Sequence, residues 1–341
     1  MSNTPLPILE RLLCDVVGQT AWALCSSRVH ITAELLAPRG DSVPRAVLAQ
    51  AMNLVLFADL LERVPAGMQR VGEVARDGKR VHFDHGALRT VVSDRTALPS
   101  GHLAFARILE PLGFEVAGTY PLPRIHMMGR AFTHRDFPED IAQFFVSELA
   151  PGELSPQFRE AAERVIATSK DPLSSSAVEL LARLARDRTL PYDQACTLLP
   201  QLTACFARHH DVPTLADYQI LLAESAEMAW IATEGNTFNH VTERVRDIAS
   251  VAREQYRLGR RMKAQIEISS SGRVHQTAYF AAAVERQFRL DDGALISAAV
   301  PGSFYELIER AEVVDARGHR QLDLSFDSSN AQGIFKMTAA A

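Results

Sequence analysis

Apolar residues recur with two different periods along this chain, and each change of period marks an element. Near the N-terminus Ile8, Leu12, Leu13, Val16 and Val17 share a helical face while Glu10 and Arg11 lie off it, which predicts a helix over 7–26. A second helix is expected over 44–64. Ser42 would be its N-cap, Pro44 falls in the first turn, and Pro65-Ala66-Gly67 is the stop. The period then shortens. Leu88, Thr90 and Val91 favour a strand in the run from Phe83 to Val91. A helix is expected over 97–113, then strand-like pieces at 114–120, 124–129 and 141–149.

Residues 155–232 return to the helical period. Helices are expected over 156–167, 174–186, 192–209 and 214–230, separated by Lys170-Asp171-Pro172, Thr189-Leu190-Pro191 and Asp211-Val212-Pro213. Beyond them comes a strand around Phe238, His240 and Thr242 and a helix over 245–259, with Gly259 as C-cap. Strands follow at 264–269, 274–282, 284–290 and 295–300, and a short helix at 301–311. The order strand, helix, strands thus occurs twice. The expected architecture is α+β: two βαβββ units with N-terminal helices and a central helical insertion. The regions are 1–82 (N-terminal helices), 83–150 (first unit), 151–234 (insertion) and 235–341 (second unit and tail).

Composition narrows the function classes. The 341 residues suffice for one large or two ordinary domains. A net charge of −5 gives no electrostatic footprint for nucleic acid. No stretch approaches the roughly 18 uncharged apolar residues of a membrane span. Cys14, Cys25, Cys196 and Cys205 form no zinc-ribbon spacing and read as thiols in a reducing compartment. Met1-Ser2-Asn3-Thr4-Pro5 lacks the basic and apolar regions of a signal peptide, so a cytoplasmic location is expected.

The chemistry concentrates in the two histidine-bearing runs. In a strand, His85, Ala87 and Arg89 point the same way, so an imidazole and a guanidinium look into one space. Gly86 lets another group approach closely. This reads as a metal ligand beside a carboxylate-gripping cation, or as a half-buried histidine and a surface arginine. His240 lies in a run of similar build, Gly235-Asn236-Thr237-Phe238-Asn239-His240, which suggests two copies of one β unit sharing a metal. His209-His210 reads as a solvated helix end, because adjacent helical residues diverge by about 100°.

The runs His85-Gly86-Ala87-Leu88-Arg89, Asn239-His240-Val241-Thr242 and Gln276-Thr277-Ala278-Tyr279 resemble the 2-oxoadipate dioxygenase/decarboxylase family. Phe145-Val146-Ser147-Glu148-Leu149 and the tail Ala331-Gln332-Gly333-Ile334-Phe335 fit the same group. The resemblance implies a vicinal-oxygen-chelate, glyoxalase-like fold and a metal held by two histidines and a glutamate. His85 and His240 match the histidines. Glu285 is the expected glutamate: the family's carboxylate follows the Gln-Thr run, and Glu285 shares a strand face with Tyr279, Ala281 and Ala283. His275 and Glu267 are rival ligands.

Two histidines and a carboxylate leave three octahedral positions open, as in non-haem Fe(II) oxygenases. The resemblance therefore implies Fe(II), a 2-oxo acid and O2 as partners, with a 2-hydroxy acid one carbon shorter and CO2 as products. Arg89 would grip a distal carboxylate. Gln276, Ser329 and Asn330 are weaker substrate-binding candidates. A glyoxalase-like lyase or isomerase using Zn2+ or Ni2+, and a non-catalytic binding protein, are the competing classes.

Overall fold

A computed structural model describes residues 6–315 and 317–327. Its centre is an eight-stranded sheet built from β1 (His82–Val91), β2 (Phe114–Leu122), β3 (Met127–His134), β4 (Gln143–Leu149), β5 (Phe238–Arg244), β6 (Glu267–Ile268), β7 (Val274–Ala278) and, after a hairpin of β8 (Ala283–Arg289) and β9 (Leu295–Pro301), β10 (Phe304–Arg310). The order across the sheet is β2-β3-β4-β1-β5-β10-β7-β6. β1 runs parallel to β4, and β5 parallel to β10; the other pairs in the sheet are antiparallel. Each parallel pair needs a crossover, and helices Leu103–Leu109 and Ile248–Arg257 lie in the two units that supply them. The sheet is therefore two βαβββ units joined edge to edge through β1 and β5.

The join has near-twofold symmetry. Gly86 pairs with Val241, flanked by His85 opposite Thr242 and Ala87 opposite His240. An axis through the Gly86–Val241 pair exchanges His85 with His240, and Ala87 with Thr242. One sheet face packs on the N-terminal helices, where Phe57, Phe83, Phe144, Val241, Tyr305 and Leu307 share one core. The other face carries His85, Ala87, Arg89, Phe145 and His240 around a pocket.

Helix Arg45–Arg63 is buried along most of its length and forms the floor of that core. Its N-cap is Pro44, without a side-chain cap; Ser42 instead opens a short strand paired with Thr189–Pro191. The helix expected over 7–26 is two helices, Ile8–Val17 and Gln19–Arg28, broken at Gly18 with φ 94°. In the insertion, Ser155, Ser174, Thr214 and Ser225 each cap a helix by accepting a backbone N–H. Each such cap contributes about 1 kcal/mol. Ser225 also splits the helix expected over 214–230. His210 is buried, its Nε2 3.0 Å from the Ala232 carbonyl, so it is a core residue and not a solvated end. None of the described helices is long and apolar enough to cross a membrane.

Two corrections bear on the site. The expected helix over 301–311 is β10. The second unit takes its last strand from Phe304–Arg310, and the strands expected at 284–290 and 295–300 lie outside the sheet. Between β7 and β10 the chain leaves the sheet as a hairpin whose strands pair with each other and, at Arg289, bridge to Thr214 of the insertion.

Gly86 sits where the two units touch. A Cβ there would lie 2.2 Å from Phe238 Cζ and 2.6 Å from both Cε atoms. The close approach is to a core ring. Gly86→Ala is expected to lower unfolding free energy by about 1–3 kcal/mol, the scale of overpacking. Phe238→Leu in the same chain should recover part of it, as coupled neighbours do. Urea denaturation of the single and double variants checks this, and additive losses would contradict it.

Candidate metal centre and pocket

The site begins with a break in alternation. Along β1 the register moves from Phe83–Glu243 to His85–Thr242, leaving Asp84 as a bulge. A bulge breaks the regular up-down order, so neighbouring side chains can meet. The Asp84 carboxylate reaches His85, with Oδ1 2.8 Å from Nδ1. The partner strand repeats the device. A second register shift falls between Ala87–His240 and Leu88–Phe238, and Asn239 Oδ1 lies 3.2 Å from His240 Nδ1. Phe83-Asp84-His85 and Phe238-Asn239-His240 are thus equivalent under the twofold, and each repeat has an arginine four residues beyond its histidine, Arg89 and Arg244. An Nδ1–H donated to Asp84 or Asn239 leaves each Nε2 as the unprotonated nitrogen facing the site, that of His85 3.1 Å from the Thr242 hydroxyl.

Both Nε2 atoms turn toward Glu306 on β10, and each is 3.6 Å from Glu306 Oε2. The three candidate ligand atoms all lie within 4.8 Å of one another. Glu306 faces Thr242 in register, and the Thr242 hydroxyl donates to its Oε2 at 2.7 Å. The twofold counterpart of Glu306 is Phe145, which pairs with Ala87 on the other side. One unit therefore contributes a histidine and a phenylalanine, and the other a histidine and a glutamate. His240 stacks on Phe304 at 4.6 Å, and the His85 ring meets Phe326 edge-on at 4.8 Å.

Burial sets the charges. It pushes His85 below the usual histidine range against the opposing Asp84, and pushes His240 well below it, with His85 and Arg89 adding to the effect. It raises Glu306 to about 7, against the Thr242 hydrogen bond and Lys263. Asp84 would also rise by burial, but Arg310 holds it well below the carboxylate range. Neutral imidazoles and a carboxylate short of cationic partners suit a divalent cation. A further mark is that Glu306 Oε1 is buried with no hydrogen-bond partner among the described residues. Such an orphan is costly unless something absent from the polypeptide meets it. The donor set fits a divalent metal.

The pocket beside these residues has an empty volume of about 440 Å3, part of it open to solvent. Ala87, Leu88, Phe145 and Phe326 give it apolar walls, and Arg89, Asn239 and Gln276 bring polar groups. Arg89 is 1% exposed, with its guanidinium over the Trp230 ring at 5.2 Å. Burial lowers it to about 10, with Glu227 opposing, so it stays cationic at neutral pH. Trp230 and Glu227 belong to helix Ala226–Glu234, so the helical insertion supplies the surroundings of the pocket-lining Arg89.

The structure brings His85, His240, Arg89 and Gln276 together around one cavity. Glu285 is elsewhere: it is exposed on β8, opposite Ala299, in the hairpin outside the sheet. The reason is that β7 ends at Ala278, so the face shared by Tyr279, Ala281 and Ala283 does not continue in the sheet. His275 stands beside Gln276 on β7, opposite Glu309, and Glu267 on β6 pairs with Lys263 at 2.8 Å; neither joins the cluster. Ser329 and Asn330 lie outside the described residues. The residue that sequence reasoning missed is Glu306. One signal in the sequence points to it: a charge inside the otherwise apolar run Phe304-Tyr305-Glu306-Leu307-Ile308.

Comparison with known proteins places the chain among relatives. The family described as 2-oxoadipate dioxygenase/decarboxylase matches residues 42–338. A rice (Oryza sativa subsp. japonica) chloroplastic/amyloplastic 2-oxoadipate dioxygenase/decarboxylase is 24% identical over 360 residues, covering 94% of this chain and 85% of that protein. A Ralstonia eutropha JMP134 protein named for the glyoxalase superfamily is 48% identical, with a TM-score of 0.88 over 94% of this chain and 98% of that one. The hydroxyglutarate synthase of Oryza sativa, solved in complex with 2-oxoadipate, has the same fold at 20% identity, with a TM-score of 0.66 over 89% of this chain and 97% of that one. The paired βαβββ fold is shared with the Ralstonia protein named for the glyoxalase superfamily, and the chain belongs to the 2-oxoadipate dioxygenase/decarboxylase family.

Proposed function

We infer that this protein is an Fe(II)-dependent dioxygenase that decarboxylates a 2-oxo diacid such as 2-oxoadipate, giving CO2 and a 2-hydroxy acid one carbon shorter. The observation that carries the reading is the convergence of His85, His240 and Glu306 within 4.8 Å, in a pocket that also holds the buried cation Arg89. His85, His240 and Glu306 would hold the metal. Bound there, Fe(II) would supply open positions for the 2-oxo acid and O2 and the redox chemistry that joins them. The protein's own part is placement. Thr242 fixes the rotamer of Glu306 through its hydroxyl. Asp84 and Asn239 fix the histidine rings. Arg89 pairs with the distal carboxylate, on the same strand as His85. Four strand residues separate their Cα atoms by about 13 Å, and inward-leaning side chains leave a gap suited to a short diacid. Ala87, Leu88, Phe145 and Phe326 keep water from its chain. Both oxygen atoms of O2 are conserved in the products: 2-oxoadipate plus O2 contains the same atoms as 2-hydroxyglutarate plus CO2.

Likeness to a protein named for the glyoxalase superfamily favours a second reading, a metal-dependent lyase or isomerase. Oxygen consumption separates the two. An oxygen-electrode screen across 2-oxo acids after anaerobic Fe(II) loading is expected to show uptake matched by CO2 release. Turnover without oxygen uptake would overturn the dioxygenase.

Glu306→Ala should cut metal content after Fe(II) loading by at least about tenfold, the lower end of what even an outer-shell change costs. Glu285→Ala should retain it, and His85→Ala should lose both metal and turnover. Elemental analysis of the loaded variants reads this directly; metal loss in Glu285→Ala with retention in Glu306→Ala would reverse the assignment.

Arg89→Ala is expected to lose about 2–4 kcal/mol of transition-state binding for 2-oxoadipate, the scale of a truncated buried charge pair. The loss for 2-oxohexanoate should be much smaller. The readout is kcat/KM for both acids. Equal losses would make Arg89 structural.

A further inference from the structure

Residues 323–327 run along the rim of the pocket, where Phe326 and Asp327 form part of its wall. The segment is fastened from several elements. Arg310 Nη1 donates to the carbonyls of Asp323 and Ser325, both at 2.8 Å. Gln143 Nε2 donates to the Leu324 carbonyl at 3.3 Å, and the Phe326 N–H donates to the Tyr120 hydroxyl at 3.1 Å. The Asp327 carboxylate accepts from the N–H and hydroxyl of Ser270 at 2.7 and 2.6 Å.

Arg310 joins this rim to the metal centre. Its side chain is 0% exposed. The edge opposite to the segment grips Asp84: Nε lies 3.1 and 2.9 Å from the two carboxylate oxygens, and Nη2 2.8 Å from Oδ1. Asp84 Oδ1 is the same atom that meets His85 Nδ1 at 2.8 Å. The Phe326 ring closes the loop, 5.1 Å from the guanidinium and 4.8 Å from the His85 ring. A guanidinium has rigid, fork-like donors, so it cannot turn to serve one partner without leaving the other. The equivalent bulge residue, Asn239, is neutral and has no arginine bonded to it in this way among the described residues.

We propose that Asp84 and Arg310 are positioning residues that couple seating of residues 323–327 over the pocket to metal binding at His85. With the segment seated, Arg310 is held against Asp84, Asp84 holds the Nδ1–H of His85, and Nε2 faces Glu306 and His240. With it unseated, two donors of a buried guanidinium lose their acceptors and the carboxylate loses its fixed partner. By reciprocity, metal must tighten the segment by the factor with which the segment tightens metal. The inference rests on the reading of His85, His240 and Glu306 as a metal centre.

The test uses Co(II), followed by its d–d absorption, with the intact chain. Asp84→Asn and Arg310→Met are expected to weaken Co(II) binding by about 10–100-fold, the range for lost outer-shell partners. Arg45→Met breaks a separate ion pair, that of Arg45 with Asp136 at 2.8 Å, and should lower Tm while leaving Co(II) affinity within about twofold. The second measurement is hydrogen exchange of the peptide covering 323–327. Saturating Co(II) should slow it in the wild type and not in Arg310→Lys, which keeps a cation beside Asp84 and so protects the fold. Affinities in Asp84→Asn and Arg310→Met no weaker than in Arg45→Met, or exchange at 323–327 indifferent to Co(II), would overturn the coupling alone. Wild-type protein that binds no Co(II), or binds it as well in His85→Ala, would overturn the metal centre and the coupling with it.

Discussion

The antiparallel contact between β1 and β5 at Gly86 and Val241 is the constraint on which the rest depends. Antiparallel neighbours one pair either side of an axis present their side chains to the same face, so two equivalent histidines must approach each other there. Contact this tight allows no side chain at Gly86, because the Phe238 ring fills the space from the core side. The core below the sheet and the site above it are therefore set by one strand register. A slip of one residue in either strand would send that strand's histidine into the apolar layer.

The site concentrates charges that a purely structural core would avoid. Asp84, Arg310, Glu306 and Arg89 are all buried, and burying ions costs several kcal/mol each before partners are counted. Asp84 and Arg310 offset each other through three hydrogen bonds. Glu306 has one oxygen answered by Thr242 and the other by nothing in the described chain. Stability alone would favour an apolar residue at that position, and the twofold-related position in the other unit does hold one, Phe145.

Much of this is legible in the sequence. Strand-prone runs around His85 and His240 recur far apart with a helix after each, and that recurrence is the fold. Leu88, Thr90 and Val91 marked β1, and the proline-bearing turns marked the insertion's helices. Legibility failed where burial erased the period. β10 is buried on both faces, so Phe304, Tyr305, Leu307 and Ile308 do not alternate with polar residues and instead mimic a helix opening at Pro301-Gly302-Ser303. With that strand hidden, alternation points instead to Glu285 in β8, whose period is clear because most of its residues are solvated. The shared Phe-Asp/Asn-His-x-x-x-Arg pattern is also present in the sequence, but three identities, Phe, His and Arg, are too few to stand out without the register that aligns them.

The exchange of Asp84 for Asn239 has a consequence for direction. Under perfect twofold symmetry the cavity would be blind to which end of a molecule entered first. Here one half spends its carboxylate on Arg310, with Arg244 3.9 Å from the same group, while the other half offers Arg89 beside a neutral amide. Glu306 opposite Phe145 breaks the symmetry again, along a second line. Two independent breaks define a head, a tail and a hand, so a chain held in this cavity would present one prochiral face to its centre.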